Sequence, residues 1–298
     1  MPTIFCTGGT GTLGQAFTRK ALSVGHAVTC FSRCELKQKQ LEYDLKKEFP
    51  LSQLRFIIGD IRDLDALDSA IDGHKYVFHF AALKHVDVCE KNPNEALKTN
   101  VLGTANVVKA CEKNKVLRLA FSSTDKAVDP INFYGYTKAI GETLVFNAEV
   151  EQATVFRWGN VVASRGSVIP TFVKTLLDPN PYVHLTTLDM TRFWIKINDV
   201  ASYVWDSTQH GNNGLRFPDI KAASLVKVVE ATAKILGVDK YHTKVIGNRG
   251  MEKIHERLIS SHDTERESYD SSHPSYQFTD EELIEFLKPV VLKKAGRV

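Results

Sequence analysis

Apolar residues in the first half of the chain follow two patterns that alternate. Short, mostly apolar runs occupy residues 3–6, 27–31, 55–58, 76–80, 116–121 and 154–157. Between them, apolar positions recur at helical spacing: Ala16, Phe17 and Ala21 with Lys20, then Leu41, Leu45 and Phe49 in the Lys/Glu-rich segment 36–49, then Val101, Ala105, Val108 and Cys111 in a helix that Asn100 opens. Short apolar runs predict strands buried on both faces, and strands alternating with amphipathic helices predict an open parallel sheet. The expected fold class is α/β, a Rossmann-type doubly wound parallel sheet, with its ligand beyond the carboxyl ends of the strands.

After residue 157 the alternation loosens. The polar, glycine-bearing stretch 160–170 predicts a loop, and Asn198-Asp199-Val200-Ala201 begins a helix expected to return to the first domain. The predicted division is a nucleotide-binding domain over 1–157 with a return segment at about 192–220, and a smaller, sequence-interleaved α/β substrate domain over 158–191 and 221–298. Thr279 with Glu282 makes a capping box for a last helix running through Leu287, and the basic residues 293–297 are expected to fray.

Composition narrows the class. The 298 residues are 43% hydrophobic and 24% charged, which suits a globular protein with a full core. A net charge of +3 is too small to imply nucleic acid or an anionic membrane as a partner. No apolar run approaches the ~18 residues that span a bilayer, and no signal peptide is expected at the start. The five cysteines are scattered without a Cys-x-x-Cys pair, so reduced thiols in a cytoplasmic protein, and no metal site, are the expectation.

Chemistry enters at the first strand–helix junction. Gly8, Gly11 and Gly14 punctuate Thr7-Gly8-Gly9-Thr10-Gly11-Thr12-Leu13-Gly14. Glycines there let backbone approach a pyrophosphate, which lies on the free N–H groups of the following helix; Thr10, Thr12 and Leu13 are expected to contact it. The second strand ends in Ser32-Arg33, where a carboxylate would read a ribose 2′-hydroxyl; arginine suits a 2′-phosphate, so Ser32, Arg33 and Lys37 point to NADP. Beyond the third strand, Asp60 and Ile61 are expected against the adenine, although Asp60 reads equally as a solvated loop carboxylate. After the fourth, Ala81 and Ala82 let backbone pass a cofactor ribose, and Lys84 can reach a phosphate or a sugar hydroxyl; His85 reads as structural.

The fifth strand leads into Ser123-Thr124-Asp125-Lys126 and then Tyr134-Gly-Tyr-Thr-Lys138. Four-residue spacing puts Tyr134 and Lys138 on one helix face. A tyrosine hydroxyl titrates near ~10 in water and becomes a base at neutral pH only when a cation favours the phenolate. Lys138 can supply that charge, as can an oxidised nicotinamide. Asn100 can bind a water that relays protons to Lys138.

Together the glycine turn, Asn100, Thr124 and Tyr134-x-x-x-Lys138 resemble the extended short-chain dehydrogenase/reductase superfamily. Ala81-Ala82-Leu83-Lys84-His85-Val86, Thr99-Asn100-Val101-Leu102-Gly103-Thr104, Ser123-Thr124-Asp125-Lys126-Ala127-Val128, Arg157-Trp158-Gly159-Asn160-Val161 and Ser164-Arg165-Gly166-Ser167-Val168-Ile169-Pro170 narrow it. This set resembles the inverting UDP-N-acetylglucosamine 4,6-dehydratases of polysaccharide biosynthesis, over about residues 4–269. The resemblance implies a UDP-sugar substrate, a tightly held NADP recycled in each turnover, and a homo-oligomer built through the helices after Asn100 and Tyr134. It implies Lys126 as the base at carbon 5 and Asp125 as the acid for the carbon-6 hydroxyl, where retaining relatives carry Asp-Glu. It also implies substrate contacts at Asn160, Arg165, Arg192, Glu252 and Arg266. The segment Gly250-Met251-Glu252-Lys253-Ile254-His255-Glu256 departs from the family's Gly-Glu-Lys-x-His-Glu by an inserted methionine, and Gly247-Asn248-Arg249 before it lacks the usual proline. Two other readings stay open: a nucleotide-sugar 4-epimerase or keto-sugar reductase, which needs only Tyr134, Lys138 and the cofactor, and a non-catalytic NADP-binding sensor.

Overall fold

A computed structural model describes residues 3–162, 164, 166–209, 211, 213–248, 250–259, 263 and 269–297. The chain forms two compact units, 1–157 with 197–218, and 158–196 with 219–298.

The first unit carries β1 (Ile4–Thr7), α1 (Thr12–Ser23), β2 (Val28–Ser32), α2 (Glu35–Leu45), β3 (Leu54–Ile58), α3 (Leu64–Ile71), β4 (Tyr76–His79), α4 (Val86–Lys91), α5 (Pro93–Ala96), α6 (Gly103–Lys113), β5 (Arg118–Ser122), α7 (Phe133–Phe146) and β6 (Gln152–Phe156). The chain re-enters it as a return helix, Ile197–Gln209, and a return strand, Gly214–Arg216. Among the described residues the strands form one seven-stranded sheet in the order return strand, β6, β5, β4, β1, β2, β3, with every pair parallel. Strand order reverses between β1 and β4, which places the ligand crevice of a doubly wound sheet at their carboxyl ends. Thr7 and His79 stand there directly opposite each other. Phe5, Phe31, Val77, Leu119, Phe121 and Val155 fill the layer under the helices and are essentially inaccessible to solvent. The return helix lays Trp205 against Phe17 of α1 and His26, with ring centroids 6.2 and 4.8 Å apart.

Three expectations change. The helix drawn over 36–49 stops at Leu45; residues 46–49 follow as turns, with Phe49 N–H donating to the Leu45 carbonyl, and Pro50 bars any continuation. Asn100 does not open a helix. It lies inside one, in a π-type segment (Leu97–Leu102) that joins α5 to α6. The 293–297 tail is ordered: the last helix runs Asp280–Lys294 because Leu283, Leu287 and Val291 bury one stripe, and Arg297 then donates to the Leu236 carbonyl at 2.9 Å.

In the second unit, strand Thr191–Ile195 runs parallel to Asn160–Val161 and antiparallel to Ala222–Ser224, while Tyr182–Leu185 pairs in parallel with His242–Val245. The stretch 160–170, read as a loop, thus contributes a short strand and the start of helix Val168–Leu176. Helices Val168–Leu176, Leu225–Leu236 and Asp280–Lys294 share a core around Phe172, Met190, Trp194, Val228 and Leu287. The five cysteines carry no disulfide, and among the described residues no helix is long and apolar enough to cross a membrane.

Candidate active site

The glycine turn has the backbone geometry that a dinucleotide needs. Gly8 sits at φ 68°, in the left-handed region, and a β-carbon there would lie 2.7 Å from the Ala81 nitrogen. One on Gly14 would lie 2.4 Å from the Gly8 carbonyl oxygen. Only glycine lets β1, the segment after β4 and the first turn of α1 come this close. Gly11 N-caps the twelve-residue α1 without a side-chain cap, so the helix presents its N–H groups and positive dipole end to this turn. These residues fit a pyrophosphate.

Beside it, Arg33 and Lys37 are exposed and Ser32 is half-buried. Gln38, which the amphipathic pattern of 36–49 hides, is buried and donates to the carbonyls of Ser32 and Ile57 and to the Ser32 hydroxyl. It fixes the tip of β2 against β3. Asp60 is not a lone loop carboxylate. It accepts from the Arg62 backbone and guanidinium at 2.6–3.0 Å and lies 3.5 Å from Arg33. Burial would raise its pKa, but the Arg62 hydrogen bonds and the charges of Arg33 and Arg62 hold it below the usual carboxylate value. Ile61 is buried against Gly103, and its carbonyl accepts from Asn106. Ala81 and Ala82 are half-buried, while Lys84 and His85 stand exposed just before α4.

Tyr134, Asp125 and Lys126 are brought together by a tight corner. Thr124 N-caps the short turn Asp125–Ala127, and Asn132 caps α7 by accepting from Gly135 N–H at 2.8 Å. A β-carbon on Gly135 would come 2.3 Å from the Lys126 carbonyl, so the glycine lets that turn rest on the first turn of α7. Asp125 is fully buried; its Oδ1 accepts from Thr124 Oγ1 at 3.0 Å and from Lys126 Nζ at 3.1 Å. Burial pushes the Tyr134 hydroxyl up to about 12, opposed by the Lys126 charge and a Thr124 hydrogen bond.

Lys138 follows Tyr134 by one helical turn; its Nζ lies over the Phe121 ring, 3.9 Å from the centroid, and the Lys126 charge is a cation that pulls the Tyr134 pKa down. Burial lowers Lys138 to about 7, and the Glu142 carboxylate pulls the other way. Glu142 is held by Arg157 through Nε–Oε1 at 2.8 Å and Nη2–Oε2 at 2.6 Å, and Ser123 Oγ donates to the same carboxylate. The signal for Glu142 was its place one further helical turn along the Tyr134 and Lys138 face. The Asn100 side chain accepts from Leu83 N–H at 2.8 Å and donates to the Leu83 carbonyl at 2.9 Å and to Thr137 Oγ1 at 3.0 Å. Those bonds clamp the segment after β4 to α7 and commit both amide hydrogens to protein.

In the second unit, Arg192 is buried on its strand. Its Nη1 donates to the carbonyls of Thr191 and Ile254, and its buried Nη2 has no hydrogen-bond partner among the described residues; Glu252 lies 3.9 Å away. An unsatisfied buried guanidinium nitrogen fits an incoming anion. The methionine-bearing loop is organised by Asn248, which accepts from Gly250 N–H and donates to the Glu252 carbonyl. Asn160 is half-buried in the short strand Asn160–Val161. Arg165 and Arg266 lie outside the described residues.

A family model described as "Polysaccharide biosynthesis protein" matches residues 4–277. The chain is 37% identical over 292 residues to an inverting UDP-N-acetylglucosamine 4,6-dehydratase of Campylobacter jejuni subsp. jejuni serotype O:23/36, covering 94% of this chain and 85% of that protein. It is 39% identical over 270 residues to a UDP-glucose 4-epimerase of Rickettsia rickettsii, covering 87% and 78%. Among solved structures, Pen from Bacillus thuringiensis superposes with a TM-score of 0.87 at 30% identity, over 96% of this chain and 98% of that one.

Proposed function

The chain belongs to the polysaccharide biosynthesis protein family, and within that family we propose that it is a UDP-N-acetylglucosamine 4,6-dehydratase acting with inversion at carbon 5. The observation that carries this reading is the Asp125–Lys126 pair, bonded at 3.1 Å beside Tyr134. An epimerase has no use for an acid and a base at that place.

NADP, when bound, would supply the acceptor and donor of a hydride. Arg33 and Lys37, exposed at the tip of β2, support a 2′-phosphate, and the Gly8–Gly14 turn supports the pyrophosphate. Tyr134 takes the proton of the carbon-4 hydroxyl. Burial holds the hydroxyl up at about 12, so the phenolate this step needs must come from neighbouring charge: Lys126 and the Thr124 hydrogen bond already pull against burial, and an oxidised nicotinamide, when bound, would pull the same way. The resulting ketone acidifies carbon 5. Lys126 then removes the carbon-5 proton while Asp125 protonates the carbon-6 hydroxyl, which leaves as water. Proton count fits the pair: neutral lysine and protonated aspartic acid before elimination become lysinium and aspartate after it. A proton passed from lysinium to aspartate across the 3.1 Å contact would restore the first state; carbon 5 takes a solvent proton on its other face, and Tyr134 gives its proton up to solvent. Arg192 would hold the diphosphate through Nη2, which makes no hydrogen bond to the described residues and lies 3.9 Å from Glu252.

The Rickettsia relatives named as UDP-glucose 4-epimerases keep an epimerase as the second reading. One NMR experiment separates the two: purified protein, UDP-N-acetylglucosamine, D2O and no added cofactor. The dehydratase gives a 4-keto-6-deoxy sugar with deuterium at an inverted carbon 5. A 4-epimer alone would replace the proposal with the epimerase.

A further inference from the structure

The switch point between β1 and β4 holds a polar chain that none of the steps above uses. Thr7, His79, Thr104 and Asn100 are each at most 1% exposed. His79 Nδ1 lies 2.7 Å from Thr7 Oγ1, and His79 Nε2 lies 3.0 Å from Thr104 Oγ1. The directions of these bonds are set by the hydrogens available. Thr104 has one hydroxyl hydrogen, and it goes to the Asn100 carbonyl at 2.6 Å, which can only accept. Thr104 Oγ1 therefore accepts from His79 Nε2–H. Nδ1 is then bare and accepts from Thr7, whose oxygen accepts in turn from Ala81 N–H at 3.3 Å. The whole chain has one sense, and it requires the Nε2–H tautomer of a neutral imidazole.

Its ends matter. Thr7 precedes Gly8, and Asn100 clamps Leu83 through both N–H and carbonyl. The ring thus ties the glycine turn to the π-type segment, with the Ala81–Leu83 backbone held between them at two points.

We propose that His79 is a positioning residue whose fixed Nε2–H tautomer locks the glycine turn and the Ala81–Leu83 backbone into one cofactor platform. Burial, then the Lys138 charge, lowers its pKa to about 3, which keeps the ring neutral throughout the working range. The inference rests on the glycine turn being a nicotinamide dinucleotide site.

The test has two arms. In the first, long-range 1H–15N NMR of the cofactor-loaded protein, with His79 assigned by selective comparison with His79→Gln, reads the tautomer directly. One imidazole should show the Nε2–H pattern unchanged from pH 5 to 8. An Nδ1–H pattern, or titration in that range, overturns the proposal; if His79→Gln does not fold, the signal is assigned instead by through-bond correlation from the His79 backbone. In the second, release of bound NADPH, and separately of NADH, is followed by fluorescence after dilution into excess oxidised cofactor. Thr7→Val and Thr104→Val each keep side-chain volume but break the chain, and should speed release at least tenfold; Thr7→Ser and Thr104→Ser should stay within twofold of the parent. Release unchanged in the valine variants, or equally fast in the serine variants, refutes the platform. Failure of the parent to bind either dinucleotide would instead remove the cofactor reading, and with it the proposal.

Discussion

Replacing Glu142 with glutamine tests the electrostatic floor of the site. Glu142 and Arg157 are about 5% and 6% exposed and bonded through two nitrogens, so the substitution strands a buried guanidinium opposite a neutral amide. Removing one member of a buried pair costs ~3–5 kcal/mol. Glutamine keeps the volume and can still accept from Arg157 or Ser123, which places the expectation near the lower end, about 3 kcal/mol. For a domain of this size that is roughly 6–12 °C in melting temperature. The loss has a second effect. Glu142 is the group that raises the proton affinity of Lys138 against burial, so in the variant Lys138 falls further below about 7 and loses its charge at neutral pH. Urea denaturation by circular dichroism reads the first effect, and a cycle with Arg157→Met isolates the pair. The double variant should be more stable than the sum of the single losses predicts, because neither charge is then left alone. Additivity within about 0.5 kcal/mol, or a Glu142→Gln loss below about 1 kcal/mol, would refute the reasoning.

Two further outcomes follow from other features. Lys138 titrates near 7 folded and at its ordinary 10.5 unfolded, so between those values the unfolded chain binds the extra proton and stability rises with pH; Lys138→Met should remove that rise between pH 7 and 9, and parallel stability curves for parent and variant would sink the assignment. Leu97 and Leu102 on the π-type segment and Tyr136 and Ile140 on α7 are 40–52% exposed, and a homo-oligomer built through these helices would cover them. The pair Leu102→Glu and Ile140→Glu should lower the mass seen by light scattering without lowering the melting temperature of the subunit, and an unchanged mass would place the interface elsewhere.

The sheet was legible because its evidence is local: short, mostly apolar runs such as 76–80 and 116–121 alternate with helical patterns, and the glycines mark the first crossover. Pairings between distant residues were not legible. Glu142 reads as one more polar residue on a helix until β6 brings Arg157 to it, and His79 reads as one polar residue inside an apolar strand until Thr7 and Thr104 arrive at its two nitrogens. The π-type segment was hidden for another reason: an extra residue in a helical turn leaves the 3.6-residue pattern intact on either side and only shifts its phase at Asn100. In the last helix, the basic residues 293–297 read as a fraying end, whereas Leu283, Leu287 and Val291 hold one buried stripe past Pro289.

The detour of the chain has a consequence for its synthesis. The first unit is left at Arg157 and rejoined at Ile197, and its outermost strand, Gly214–Arg216, arrives last. At ribosomal rates of ~5–20 residues per second, several seconds separate the emergence of β6 from that of the strand that covers it. Through that interval the nascent sheet has an open edge at β6, and α1 lacks the Trp205 cover over Phe17. An open strand edge is a template for pairing with another chain. The order of translation therefore makes residues 1–157 alone an aggregation-prone fragment, and ties the solubility of the half-made protein to the speed at which the ribosome crosses residues 158–216.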